Sequence, residues 1–194
     1  MSSKPNAHSS KPTEQQRKKY TNKQMGHIYL YFGDGAGKTT NALGLALRSL
    51  GHGRSVLMIQ WMKGWPKTGE FKFQKKVHGY KVKQFGTVGW VDLLNPSEKD
   101  KRLAQKGLDY SKKVLHSKHP PKLLILDELA FTMHIGLVNT NEVLSILKKI
   151  PKDTDVVITG RKAPPALIRR AEFANELKLI KMPKKMVTTT GIQY

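Results

Sequence analysis

Apolar residues in this chain first gather at Ile28-Tyr29-Leu30-Tyr31-Phe32, a run of the buried-strand type, after a long polar opening. From Thr39 to Leu50 they recur at helical spacing (Ala42, Leu43, Leu45, Ala46, Leu50), and Gly51-His52-Gly53 stops the helix. The alternation continues. Strands are predicted over Ser55–Trp61, Lys81–Phe85, Lys122–Asp127, Asp155–Thr159 and Glu176–Lys181. Helices are predicted over Glu70–Val77, Ser97–Ser117, Asn141–Lys149 and Pro164–Phe173, with Pro96 and Ser97 marking the start of the longest. Strands separated by helices predict an α/β fold, a three-layer sandwich with a mostly parallel central sheet and helices on both faces.

Sheets of this kind bind ligands beyond the carboxyl ends of their strands. Those ends carry the glycine-rich stretch after the first strand, Gln60-Trp61-Met62-Lys63-Gly64 after the second and Gly86 to Trp90 after the third. Asp127-Glu128 follows the fourth and Thr159-Gly160-Arg161 the fifth. All of these loops fall on one edge, which predicts a single site.

The stretch Gly33-Asp34-Gly35-Ala36-Gly37-Lys38-Thr39-Thr40 lies between a strand and a helix and reads as a phosphate cradle of the P-loop NTPase-like kind. Small residues let backbone N–H groups approach phosphate oxygens, the helix offers its positive N-terminus, and Lys38 adds a full charge. Thr39 carries a hydroxyl suited to Mg²⁺. The usual spacing puts a glycine six residues before the lysine, yet Phe32 stands there and Gly33 comes one residue late. Leu123-Leu124-Ile125-Leu126-Asp127-Glu128 resembles a Walker B strand, an apolar run delivering acids to the metal, directly or through water. Arg161 sits where a guanidinium reaches phosphate or ribose oxygens, and a surface arginine after a turn fits the same place. Trp61, Trp65 and Trp90 fall in loops or at strand ends, where an aromatic stacks on a flat ligand or packs against the sheet.

Composition narrows the setting. A chain of 194 residues suffices for one well-buried domain, expected over residues 25–194. Residues 1–24 hold six basic side chains against Glu14 and almost no large apolar groups, and read as a mobile basic arm. The absence of cysteine excludes disulfides, a thiolate nucleophile and Cys-ligated metals. No apolar run reaches the roughly 18 residues needed to span a bilayer, and no secretory signal is recognised, so a cytoplasmic protein is expected. Lys and Arg number 35 against 14 Asp and Glu, a net charge of +21 that favours polyanions such as nucleotides.

These loops in this order, with Ala163-Pro164 and a Gly191-Ile192 ending, resemble the P-loop type of corrinoid adenosyltransferase over about residues 25–180. The most specific stretches are Gly33–Thr40 continuing into Ala42-Leu43-Gly44-Leu45-Ala46-Leu47-Arg48, Gly51-His52-Gly53, and Gln60 to Gly64. The resemblance implies transfer of the 5′-deoxyadenosyl group of ATP to Co(I) of a corrinoid, with triphosphate leaving. It implies Mg²⁺, a homodimer, and an electron-donating protein or reduced flavin as partner. It fits the shortened phosphate loop as well. By carry-over, Gly33 to Thr40 hold the triphosphate, with Lys38 offsetting its charge and Thr39 on Mg²⁺. Asp127 and Glu128 complete the metal environment, Arg161 lies near the nucleotide, and Trp90, then Trp61, are the aromatics beside the corrinoid.

Two other readings stand beside this one. The net charge and the basic arm suit a nucleic-acid-stimulated ATPase, although no RNA-binding aromatic motif or helix-turn-helix is present, so nucleic acid is not the expected partner. A non-catalytic protein that binds ATP and delivers a corrinoid is the other, since fold alone does not separate the two.

Overall fold

The run Val56 to Trp61 shows how the chain builds its interior. All six of its residues are buried, because successive side chains of a strand point to opposite faces and this strand is covered on both. The computed structural model describes residues 26–89, 91–93, 95–185 and 187–193. The expected basic arm over 1–24 and Trp90 lie outside the described residues.

In chain order the elements are β1 (Ile28–Phe32), α1 (Lys38–Gly51), β2 (Val56–Trp61), α2 (Gly69–Phe73), β3 (Tyr80–Phe85) and α3 (Glu98–Leu115). There follow β4 (Leu123–Asp127), α4 (Leu129–His134), α5 (Thr140–Leu147), β5 (Asp155–Gly160), α6 (Pro165–Arg170) and β6 (Phe173–Glu176). The strands form one sheet in the order β3-β2-β4-β5-β1-β6, and every pairing among them is parallel. The expected α/β sandwich is therefore present.

Alternation along β2 separates the two cores. Leu57, Ile59 and Trp61 pack with Ala104 and Leu108 of α3, Leu129 and Met133 of α4, Val143 and Leu147 of α5, and Leu167 of α6. Val56 and Met58 pack on the opposite face with Ala42 and Ala46 of α1, Tyr80 and Val82 of β3, and Phe71 of α2. Fully burying each large apolar side chain is worth about 1.5–3 kcal/mol, so a strand loaded on both sides anchors the sheet. At the start of α3, the Ser97 hydroxyl accepts the Asp100 N–H at 3.2 Å, while the Asp100 carboxylate accepts the Ser97 N–H. This reciprocal cap sets the helix start where the Pro-Ser pair predicts it.

The helix expected over Glu70–Val77 ends at Phe73, and three further elements differ from the pattern. Residues 129–134 form α4, a short helix that the sequence pattern left unassigned. The last helix ends at Arg170, before the expected Phe173, and the last strand lies at Phe173–Glu176, ahead of the expected Glu176–Lys181. The Glu172 carboxylate accepts the Ile28 N–H at 2.7 Å and Phe173 stacks on Tyr29 with ring centroids 4.7 Å apart, which pins the strand to β1 three residues early.

Candidate active site

The phosphate loop joins the carboxyl end of β1 to α1 and turns through two left-handed glycines, Gly33 at φ 112° and Gly37 at φ 100°. Gly37 is the residue before α1 and supplies no capping side chain, and the first turn of α1 contains no acid. Its free N–H groups and helix dipole therefore present positive potential with Lys38 at the mouth. Lys38 Nζ donates to the Gly35 carbonyl at 2.6 Å, and burial lowers its pKa. Asp34, Ala36 and Thr40 are exposed on the loop and the first turn, while Gly33 and Gly35 are buried beneath them.

Asp127, at the end of β4, is fully buried. Its Oδ1 accepts from the Thr39 hydroxyl at 2.9 Å and the Thr159 hydroxyl at 2.7 Å. Its Oδ2 accepts from Gln60 Nε2 at 3.1 Å and Lys63 Nζ at 2.7 Å. Burial alone would push this carboxyl up. The Lys63 ammonium and the hydrogen bonds from Lys63, Thr159 and Thr39 outweigh that and hold it below the ordinary range, so it is ionised. The same pairing raises Lys63 against the opposing effect of its own burial. One carboxylate thus ties together α1, β4, β5 and the loop after β2.

Glu128 follows in a left-handed conformation at φ 66°, and Met62 at the end of β2 has φ 54°. Among the described residues these are the two non-glycine positions with positive φ. Each costs on the order of 1–3 kcal/mol, and such strain gathers at functional sites. The turn aims Glu128 back across the site. Its N–H donates to the Thr159 hydroxyl at 2.9 Å and its Oε1 accepts the Arg161 N–H at 3.3 Å. Burial first, and then the neighbouring Asp127 charge, push its pKa up. Arg161 returns the link, because its carbonyl accepts the Gly33 N–H at 3.0 Å and its side chain is exposed. The predicted loops therefore converge at one edge of the sheet.

The donor set suits Mg²⁺. A hydroxyl and an ionised carboxylate 2.9 Å apart are hard oxygen ligands, and this metal keeps several waters. Among the described residues no group of three or more His, Asp or Glu could cage a metal alone, so its other ligands would be phosphate oxygens and water.

A family model described as "ATP:corrinoid adenosyltransferase BtuR/CobO/CobP" matches residues 24–194. The chain belongs to this family. It is 32% identical over 163 residues to a corrinoid adenosyltransferase of Sinorhizobium sp, covering 82% of this chain and 75% of that one. The corrinoid adenosyltransferase of Escherichia coli K12 is 31% identical over 159 residues, covering 81% and 79%. Corrinoid adenosyltransferase CobA of Salmonella typhimurium is 32% identical over 161 residues, again covering 81% and 79%.

Against the site residues that family resemblance suggested, Trp61 is corrected. Its ring is fully buried and its indole N–H donates to the Ala104 carbonyl at 3.0 Å, so neither ring face is free to meet a corrinoid. Gln60, Lys63 and Thr159 also belong to the site of this adenosyltransferase, although no motif singles them out individually. Gln60 and Thr159 are polar side chains with no exposed surface, each following an apolar run in its strand, and Lys63 is a charge placed just beyond a buried strand. A buried polar side chain at a strand's carboxyl end was the available signal.

Proposed function

We propose that this chain transfers the 5′-deoxyadenosyl group of ATP to the Co(I) centre of a corrinoid and releases triphosphate. Cobalt supplies the electron pair of the new Co–C5′ bond, the C5′–O5′ bond breaks, and the departing triphosphate oxygen takes its electron pair. Because Co(I) is itself the nucleophile, no protein base has to activate it. The protein's task is to hold C5′ in line and to stabilise charge on the leaving group. The observation that best supports this is the family match over residues 24–194, with which the loop from Gly33 to Thr40 agrees, its uncapped helix N–H groups and Lys38 lying beside the Thr39–Asp127 pair.

In this reading the loop amides and Lys38 bind the triphosphate, while Thr39 and Asp127 hold Mg²⁺, Asp127 directly or through water. That metal supplies charge neutralisation to the triphosphate when bound. Glu128 orients the turn that carries Arg161 beside the loop, and Arg161 lies within reach of the nucleotide. Trp90 is the aromatic expected beside the corrinoid. The catalytic unit spans residues 25–194 and works as a homodimer with an electron-donating protein or reduced flavin. A cytoplasmic setting is part of the proposal, and no helix among the described residues is long and apolar enough to cross a membrane.

The test is an anaerobic mixture of protein, Mg·ATP and chemically reduced corrinoid, followed by its visible spectrum. A light-sensitive adenosylated product with one triphosphate released per turnover is expected. Absence of that product, with orthophosphate release stimulated by RNA or DNA, would overturn the proposal. ATP binding with no turnover at all would replace it by corrinoid delivery.

A further inference from the structure

Lys63 is a charged group at the centre of the site that the reaction above does not use. Its ammonium lies 2.7 Å from Asp127 Oδ2, yet the side chain keeps 29% of its surface open while Asp127 has none. The backbone beneath it is tightly set. Met62 stands at φ 54°, a Cβ on Gly64 would come within 2.6 Å of the Gly86 carbonyl oxygen, and one on Gly86 within 2.3 Å of the Lys63 nitrogen. With the backbone so fixed, any change of partner by the ammonium runs through the flexible four-carbon side chain.

Three of the four hydrogen bonds to Asp127 come from groups other than Lys63. Thr39 and Thr159 hold Oδ1, and Gln60 holds Oδ2. Gln60 is itself fixed, since its Nε2 also reaches Glu70 Oε1 at 3.1 Å and its Oε1 accepts from Gln84 Nε2 at 2.9 Å. What Lys63 adds is charge, and charge is what a divalent cation beside Thr39 would supply instead. An ammonium on Oδ2 and Mg²⁺ near Oδ1 would repel across a single carboxylate, whereas a triphosphate attracts both.

We propose that Lys63 is a triphosphate-binding residue, a tethered cation that neutralises Asp127 until Mg²⁺ takes over that charge and then pairs with oxygens of the leaving triphosphate. This rests on the adenosyl-transfer reading. Its contribution grows in the transition state, because the triphosphate gains negative charge as the C5′–O5′ bond breaks. A purely structural ion pair would stay on Asp127 throughout and leave triphosphate binding unchanged.

The experiment titrates inorganic tripolyphosphate calorimetrically into wild type, Lys63→Met and Lys63→Arg, with and without Mg²⁺, and records melting curves for each. With Mg²⁺ present, Lys63→Met is expected to bind tripolyphosphate about tenfold more weakly, and Lys63→Arg within about threefold of wild type. Mg²⁺ alone should raise the melting temperature of Lys63→Met well above its effect on wild type, because the metal replaces the missing charge on Asp127. Equal tripolyphosphate affinity in wild type and Lys63→Met overturns the inference. So does a Lys63→Met protein whose stability or folding Mg²⁺ fails to restore. Wild type that binds neither tripolyphosphate nor Mg·ATP overturns the adenosyl-transfer reading itself, a result distinct from both.

Discussion

The amide of Gly35 donates a hydrogen bond to the carbonyl of Leu177 at 2.8 Å, joining the phosphate loop to the chain leaving β6. Leu177 in turn donates its own N–H to the Phe32 carbonyl at 2.7 Å, so the last strand continues alongside the loop. The loop is thereby braced on one side by backbone, which leaves the α1 side as its open face for an anion. Close approach is what demands glycine here. A Cβ at Gly33 would lie 2.4 Å from the Leu177 oxygen, and one at Gly35 2.8 Å from the carbonyl oxygens of both Leu177 and Lys178.

Gly35→Ala should therefore displace the loop from its brace. The expected result is a loss of ATP affinity of tenfold or more by calorimetry, with a lower melting temperature. Gly44→Ala is the matched control. That glycine is an exposed α1 residue with nothing within 4 Å of an added Cβ, so alanine should stabilise the helix by up to about 1 kcal/mol and leave ATP binding unchanged. Equal behaviour of the two variants would remove the bracing argument.

Glu128 gives a pH-dependent test. Its pKa is raised in the fold by burial and by the Asp127 charge, so the folded protein holds this proton more tightly than the unfolded chain. Its contribution to stability is full below the ordinary glutamate pKa and is lost as pH rises through the raised folded value. Glu128→Gln should melt higher than wild type at pH 8, and the gap should close as the pH falls below about 4. A pH-independent difference between the two melting curves would contradict the assignment. Asp127 has the opposite sign, because its folded pKa is lowered. Its stabilisation is present above the ordinary aspartate value and is lost as pH falls through the folded one.

Asp127→Ala removes the acceptor for four donors at once. Lys63, a half-buried charge, is left without its partner, and Gln60, Thr39 and Thr159 each lose a hydrogen bond. Breaking a buried pair from one side costs about 3–5 kcal/mol, so denaturant melts should show a loss of that size. Asp127→Asn keeps the shape and should recover part of the stability, while Mg²⁺-dependent ATP binding stays weak. Full metal dependence in Asp127→Asn would argue against a role for this carboxylate.

Strands covered on both faces were legible from the chain because they are apolar runs bounded by turn residues, and β2, β4 and β5 fall within a residue of where the pattern predicts them. The phosphate loop and the Asp127-Glu128 pair were legible because their chemistry is tied to spacing. The edge strand β6 was not. Phe173-Ala174-Asn175-Glu176 is exposed at every position, so no alternation marks it, and only backbone pairing with β1 and the Phe173–Tyr29 stack place it. The helix at Leu129–His134 escaped because six residues give less than two helical turns of periodicity. Lys63 escaped because its meaning lies in Asp127, 64 residues away.

Trp61 offers a final contrast, because its fate follows from strand parity. It shares a face of β2 with Leu57 and Ile59, and that face turns toward α3. The α3 residue beneath the indole is Gly107, where an added Cβ would lie 2.8 Å from the ring nitrogen. Gly107→Ala should thus overpack this contact and cost about 1–3 kcal/mol, and Trp61→Phe should cost about 1–2 kcal/mol through the lost bond to Ala104 and the space left by the smaller ring. Both losses should appear in denaturant melts, with the affinity for reduced corrinoid within about twofold of wild type, a difference of less than about 0.5 kcal/mol. A Trp61→Phe protein of wild-type stability that binds corrinoid tenfold more weakly would return this residue to the corrinoid face.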